Sequence, residues 1–435
     1  MVEIETIYEY NEWVFAPTLS KKRIFQEWLI QLSVELKKKK ITEHEFLEAT
    51  SSGVQFKNYC GFISHFDQGL EILPKVFDPR RGFQENEITA RKSLLTLMSY
   101  SGQWKLPDDF LSSMSQEDKW PLHEILFHLY LSSVLSELER GLYMDYSQKD
   151  LQDVNLRGSL SLEKQAYELN KLIFHLKVFE YGHLNELNRF YLSVCRKIAK
   201  MSNVRGNKMK AMRVISILDE NEPMSNNELL SYIKSFNRID KRFQNSYLLG
   251  KVIVEKTSLL IEQGGFNVPT LLINMNRLFE KFFAVFLERN KGALLPEYDV
   301  LEQRRKKWYL LKNKKFELIP DIVLTKRDKD PIIMDTKYKP IDQLELANSK
   351  VEKRAGIVST DMYQMFAYAK KINSKRLFLV YPTTCFERKP ITFVGQFDDN
   401  SEIYILKIFM NFEEDGWEQL LANNLINAKP GLLPE

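Results

Sequence analysis

The apolar pattern of this 435-residue chain changes period about two-thirds of the way along, and that change limits what it can fold into. From about 87 to 289, large apolar residues recur at three- and four-residue intervals. Leu94, Leu95 and Met98 form one set, Leu122, Ile125, Leu126 and Leu129 a second, Leu169, Leu172, Ile173 and Leu176 a third. This spacing gathers side chains on one stripe of a helix and predicts helices through the middle, with a long one over 270–288. Beyond it the runs shorten, predicting strands over 308–311, 316–324 and 332–338, a helix over 361–372, and strands over 377–381 and 403–408. Three consecutive strands can form a meander, and the helix before the fourth allows a crossover back alongside the sheet. The expected class is α/β with a mixed sheet flanked by helices.

Ahead of the helical stretch, the first 80 residues have β character. The Phe66-Asp67-Gln68-Gly69 segment is turn chemistry between two apolar runs within 54–75, which reads as a hairpin, and Pro74 suits a strand end. The length exceeds the roughly 250–300 residues at which one core stops growing. Three domains are therefore expected: a β-rich 1–85, a helical 86–265 and an α/β 266–435. Cys60, Cys195 and Cys385 are scattered, without metal-ligand spacing. The acidic N-terminus lacks the features of a signal peptide, and no run reaches the roughly 20 apolar residues that span a bilayer. A cytoplasmic location, away from membranes, is the expectation.

Chemistry concentrates in the last third. Ile319-Pro320-Asp321-Ile322-Val323-Leu324 is followed by Ile332-Ile333-Met334-Asp335-Thr336-Lys337. Side chains alternate along a strand, so Asp335 and Lys337 point the same way, and a neighbouring strand can bring Asp321 beside them. Two carboxylates with a main-chain carbonyl, that of Thr336, are hard oxygen ligands suited to Mg²⁺, with Mn²⁺ as a substitute. Such an ion polarises a phosphodiester and helps deprotonate water, while Lys337 orients that water or stabilises charge on phosphorus. Glu35-Leu-Lys37, Glu117-Asp-Lys119 and Glu387-Arg-Lys389 fit the same acid-x-Lys template, but none ends an apolar strand. A charge in that position is costly unless paired or metal-bound.

Two helices can complete the site. Glu280 lies in an apolar helix and offers a third carboxylate, or else an ion pair with Arg277. Gln364 and Tyr368, at i and i+4, share a helix face that can reach water, lysine or DNA; alternatively Gln364 forms a capping box with Asp361. The net charge of +4 says little, but two basic clusters stand out. Arg189, Arg196, Lys197, Lys200, Arg205, Lys208, Lys210 and Arg213 fall in a stretch without acidic residues, and Arg304-Arg305-Lys306-Lys307 precedes Lys312, Lys314 and Lys315. Either can be a solvated helix face; together, beside such a motif, they point to a polyanion, double-stranded DNA. The histidines and cysteines lack zinc spacing, and neither a phosphate-binding P-loop nor a serine-nucleophile elbow is present.

With these residues in place, the chain resembles the McrC family, the nuclease partners of McrB-type GTP-driven restriction motors. The resemblance rests on Gly61-Phe-Ile, Leu70-Glu-Ile-Leu-Pro-Lys75, Ala90-Arg-Lys-Ser-Leu-Leu, Glu139-Arg-Gly-Leu142, Leu156-Arg-Gly158, Leu187-Asn-Arg189, Met275-Asn-Arg-Leu-Phe-Glu280, Pro320-Asp321-Ile-Val-Leu and Asp335-Thr-Lys-Tyr-Lys339, in that order. It implies a restriction-endonuclease-like C-terminal domain of the PD-(D/E)xK type with Asp321, Asp335 and Lys337 as its catalytic core. It also implies an N-terminal portion that docks on a hexameric AAA+ GTPase, stimulates it, and often enters the ring through a projecting element. Two alternatives stay open: an assembly and DNA-clamping subunit with an inactive centre, and a stand-alone repair nuclease.

Overall fold

The computed structural model describes residues 3–38, 42, 45–75, 83–102, 104–106, 120–170, 172–257, 270–296, 298–302, 308–339, 357–383, 388–410, 412 and 416–428. It divides into two compact units, each assembled from separated stretches of chain. One comprises 1–5, 61–70 and 119–272, the other 6–60, 71–118 and 273–435.

The second unit is built on a six-stranded mixed sheet. Its strands are β1 (Asp299–Glu302), β2 (Ile322–Thr325), β3 (Ile332–Thr336), β4 (Arg376–Thr383), β5 (Ile391–Gln396) and β6 (Glu402–Phe409), in the spatial order β1-β2-β3-β4-β6-β5. β1, β2 and β3 are antiparallel in succession, β3, β4 and β6 run parallel, and β5 returns antiparallel on the edge. The expected crossover is present, but the three-strand meander is corrected: Trp308–Tyr309 pairs with Glu317–Leu318 in a separate two-stranded sheet, β1 takes the place beside β2, and β5 is added at the other edge. Ile332, Ile333 and Met334 of β3 and Leu377 to Tyr381 of β4 are all buried, the continuous apolar run of strands covered on both faces. Edge strand β5 instead exposes Phe393 and Val394.

Helix α1 (Met275–Arg289) starts where the Asn274 side chain accepts the Arg277 N–H at 3.2 Å. It buries Phe279, Phe282, Phe283 and Phe286. The long helix expected over 270–288 is therefore shorter, because Thr270–Asn274 is a strand. That strand neighbours Tyr59–His65 in a four-stranded sheet with Gln68–Leu73 and Glu3–Tyr8. The approach is close: a Cβ on Gly61 (φ 135°) would lie 1.8 Å from the Leu271 carbonyl oxygen, so only glycine fits there. The expected hairpin turn is present, with Phe66 at φ 54° between the strands Tyr59–His65 and Gln68–Leu73. Helix α2 (Ser359–Ile372) lays Met365, Tyr368 and Ala369 on Ile333, Leu377, Leu379 and Ile405 of the six-stranded sheet. It ends at Asn373 in the left-handed conformation, φ 58°.

The second unit also buries an ion pair: Arg91 and Glu71 approach to 2.6 Å with side chains 5% and 0% exposed, and Glu87 adds a 3.1 Å contact. Removing one member leaves the other's charge buried and unpaired. Arg91→Met is expected to cost about 3–5 kcal/mol of unfolding free energy. A urea titration showing a loss below about 1 kcal/mol would mean that Glu71 is satisfied without Arg91.

In the first unit the expected helices appear at Leu122–Glu139, Glu186–Met201, Arg205–Ile217 and Gln244–Thr257. Buried Glu124 fixes the start of Arg205–Ile217: its carboxylate accepts from the N–H groups of Asn203 and Val204, the Ser202 hydroxyl and the Asn207 amide. The reading of 87–289 as helical, without strands, is corrected here. Asp145–Asp153, Ser159–Leu160 and Phe174–Gly182 form a three-stranded antiparallel sheet. Leu169 and Leu172 are 97% and 74% exposed, whereas Leu176 and Val178 are buried at the two-residue period of a strand. Their helical spacing is a coincidence of composition.

Candidate active site

The strand ladder itself assembles the site. In the antiparallel register Ile322 pairs with Met334 and Val323 with Ile333, so one further step places Asp321 opposite Asp335. Asp321 is held there by Thr336, whose N–H and hydroxyl both donate to its Oδ2, at 2.7 and 2.6 Å. Asp335, at the carboxyl end of β3, is 2% exposed. Burial first, and then the charge of Asp321, raise its pKa to about 7 against the opposing pull of Lys337.

Lys337 follows β3 and is anchored by its N–H to the Val380 carbonyl of β4 at 2.8 Å. Its Nζ lies 2.7 Å from Asp335 Oδ2, a charge contact outside hydrogen-bond alignment, and donates to Gln364 Oε1 at 3.0 Å. Burial alone would lower its pKa, but Asp335, Asp361 and Asp321 outweigh that and hold it above the ordinary lysine value. Gln364 Nε2 in turn reaches Asp335 Oδ1 at 3.4 Å and the Tyr368 hydroxyl at 2.7 Å, and Tyr368 donates to the Ile319 carbonyl at 3.0 Å. Asp321, Asp335, Thr336, Lys337, Gln364 and Tyr368 therefore converge at one end of the sheet.

Asp361 also belongs here, although sequence reasoning gives it only a helix-capping role. Val358 occupies the N-cap position instead, without a side-chain cap. Asp361 is buried and contacts Lys337 Nζ at 3.4 Å and Lys339 Nζ at 2.8 Å. Its spacing of i, i+3 and i+7 with Gln364 and Tyr368 marks one helix face and is the signal that could have found it.

Glu280 is half-buried on α1. Among the described residues no group of three or more His, Cys, Asp or Glu is arranged to hold a metal, so Glu280 does not complete a ligand triad with Asp321 and Asp335. Of the basic residues, Arg205 and Lys208 are exposed. Lys210 donates to Ser132 Oγ at 2.8 Å, Arg213 pairs with Glu139 at 3.0 Å, and Arg189 pairs with Glu186 at 2.8 Å. Two of the eight basic residues, Arg189 and Arg213, are thus paired with carboxylates, and Lys210 is tied to a neutral hydroxyl. Arg304, Arg305, Lys306 and Lys307 lie outside the described residues. Lys312, Lys314 and Lys315 are exposed at the tip joining the paired strands Trp308–Tyr309 and Glu317–Leu318.

A mixed sheet with two aspartates facing each other across an antiparallel pair, and a lysine two residues beyond one of them, defines an α/β protein with an acid–lysine site. Residues 54–382 match the family model described as McrBC 5-methylcytosine restriction system component, and the chain belongs to that family. No curated protein sequence matches it. Among solved structures it is similar to a chain of the Thermococcus gammatolerans assembly of McrB AAA+ hexamers with bound McrC. Identity is 21%, 99% of this chain and 100% of that one are covered, and the TM-score is 0.70. It is also similar to a chain of the cryo-EM structure of the Thermococcus gammatolerans McrBC complex. There identity is 24%, coverage 66% and 88%, and the TM-score 0.51. At these identities the likeness is one of fold. No helix among the described residues is long and apolar enough to cross a membrane.

Proposed function

We propose that this chain is the DNA-cutting subunit of a McrBC-type restriction system, a Mg²⁺-dependent phosphodiesterase of the PD-(D/E)xK type. On this reading it works when engaged by a hexameric McrB-like AAA+ GTPase, whose GTP hydrolysis it stimulates. The observation that carries the proposal is buried Asp335, set opposite Asp321 and 2.7 Å from Lys337. Two adjacent carboxylates, one with its proton affinity raised by burial and then by the other, suit a divalent cation that relieves their repulsion. Mg²⁺ needs only one or two carboxylates because it keeps several waters, so a missing third acidic ligand is no obstacle.

Asp321 and Asp335 would hold the ion, with the Thr336 carbonyl as a further donor. Bound there, Mg²⁺ supplies Lewis-acid polarisation of the phosphodiester and a more acidic water. Thr336 fixes the rotamer of Asp321. Gln364 holds Lys337 with its oxygen and Asp335 with its amide, so one side chain sets the spacing between the acid and the cation. Tyr368 locks Gln364 by taking its second amide hydrogen. Lys337 is kept charged and stabilises negative charge as it develops on phosphorus.

DNA and the GTPase fit two other features. The tip lysines Lys312, Lys314 and Lys315 take part in no ion pair among the described residues, and their hairpin leads into Pro320-Asp321. Replacing all three with Gln is expected to reduce the slope of log affinity against log salt by about 0.9 for each phosphate that is no longer neutralised. An unchanged slope in fluorescence anisotropy would mean that they face solvent. For the GTPase, the sheet over 145–182 exposes Tyr146, Phe179 and Tyr181, with Tyr146 and Tyr181 ring centroids 5.2 Å apart, a surface suited to a protein partner.

The test is plasmid cleavage by this chain with the GTPase encoded beside it, GTP and Mg²⁺. Cutting that requires both partner and metal is the expected result. A stable complex that turns over GTP without cutting modified or unmodified DNA would favour a clamping subunit. Cutting without the partner would favour a stand-alone nuclease.

A further inference from the structure

A cation held by Asp335 would meet Lys337 at the same carboxylate. Asp335 Oδ2 is the atom 2.7 Å from Lys337 Nζ, and it is also a buried oxygen without an aligned hydrogen-bond donor. A cation drawn to that oxygen would displace Lys337 from its nearest anion. A half-buried ammonium left with only the Gln364 amide oxygen would be poorly compensated. The structure provides an alternative. Asp361, whose side chain is 9% exposed, enters from α2, the same helix that supplies Gln364 and Tyr368. Its Oδ2 accepts from Lys339 at 2.8 Å, and this hydrogen bond pins the carboxylate. The other oxygen, Oδ1, is turned toward Lys337 at 3.4 Å, close enough for attraction and too long for the primary contact.

We propose that Asp361 is a positioning residue for Lys337: held by Lys339, it offers the second anion that lets Lys337 leave Asp335 without losing its place in the site. The inference rests on the metal-dependent reading above and assigns a task to Asp361 and Lys339. Gln364 holds Lys337 with its oxygen while its amide reaches Asp335, so it tethers the lysine at the start of the movement. The shift required of Lys337 is small, because it already lies between the two carboxylates.

The experiment is a double-mutant cycle on Mn²⁺ binding, read by electron paramagnetic resonance on the full chain without DNA. Asp361→Asn is expected to weaken Mn²⁺ about tenfold, because Lys337 then stays on Asp335. In a Lys337→Met background the same substitution should change the Mn²⁺ Kd less than twofold, because no lysine remains to be placed. A merely electrostatic loss of one negative charge would appear equally in both backgrounds, and that outcome would overturn the proposal. In cleavage assays Asp361→Asn should lower kcat while leaving KM for DNA unchanged, and Asp361→Glu should restore part of the rate. An Asp361→Asn chain that melts at the wild-type temperature and binds Mn²⁺ as wild type also overturns the proposal. A wild-type chain that binds no Mn²⁺ removes the metal-dependent reading itself, a result distinguishable from either of these.

Discussion

Asp335→Asn is expected to lower DNA cleavage by about a thousandfold, the rate equivalent of roughly 4 kcal/mol, while partner binding and GTP turnover persist. Asparagine has nearly the same shape, so β3 keeps its packing against β2 and β4. What disappears is an anionic oxygen at the one place where Asp321, Lys337 and the proposed cation meet. The fold should tolerate the change. Burial and Asp321 raise the pKa of Asp335 to about 7, which means that below that pH the folded metal-free chain favours the neutral form. That stabilisation is fully present below the ordinary carboxylate pKa and is lost as pH rises through about 7. Above that pH the neutral asparagine should therefore match or exceed the wild type in metal-free thermal stability. Metal binding by the wild type has the opposite pH dependence, since the carboxylate must shed its proton: affinity should climb toward pH 7 and level off above it. A variant that still cuts within tenfold of wild type would remove Asp335 from the chemistry. One that loses partner binding together with cutting would show that the substitution disturbs more than the site.

Lys337→Ala should reduce the single-turnover cleavage rate about a hundredfold, the cost of removing one transition-state donor. The lysine's surroundings support this, for Asp335, Asp361 and Asp321 together keep the ammonium charged despite its burial. Shortening the side chain also strips Gln364 of its donor, so some disorder of Gln364 and Tyr368 should accompany the loss. Lys337→Arg separates the two effects: it restores charge but not the compact ammonium, and rescue should be partial at most. A drop of less than about threefold for Lys337→Ala would leave the lysine a purely structural role.

The sequence alone carried the reading wherever the physics is local. The two-residue period of a strand puts Asp335 and Lys337 on one side, and the four-residue period of a helix aligns Gln364 with Tyr368. The apolar runs around Pro320-Asp321 and before Asp335 marked both strands, and the Phe66 turn was visible in its residues. Tertiary structure decided the rest, because those outcomes depend on which elements come to face each other. Asp361 becomes a site residue only where α2 lies against the end of β3. Lys210, Arg213 and Arg189 look like free cations in the sequence, yet in the fold they are claimed by Ser132, Glu139 and Glu186. Leu169 and Leu172 obey a helical spacing, but an antiparallel partner made their neighbourhood a sheet. Each compact unit is gathered from separated stretches, so no boundary drawn along the chain could have delimited it. Local periodicity determines which face a residue occupies; what lies opposite that face is settled by long-range packing, and charge pairing follows from it.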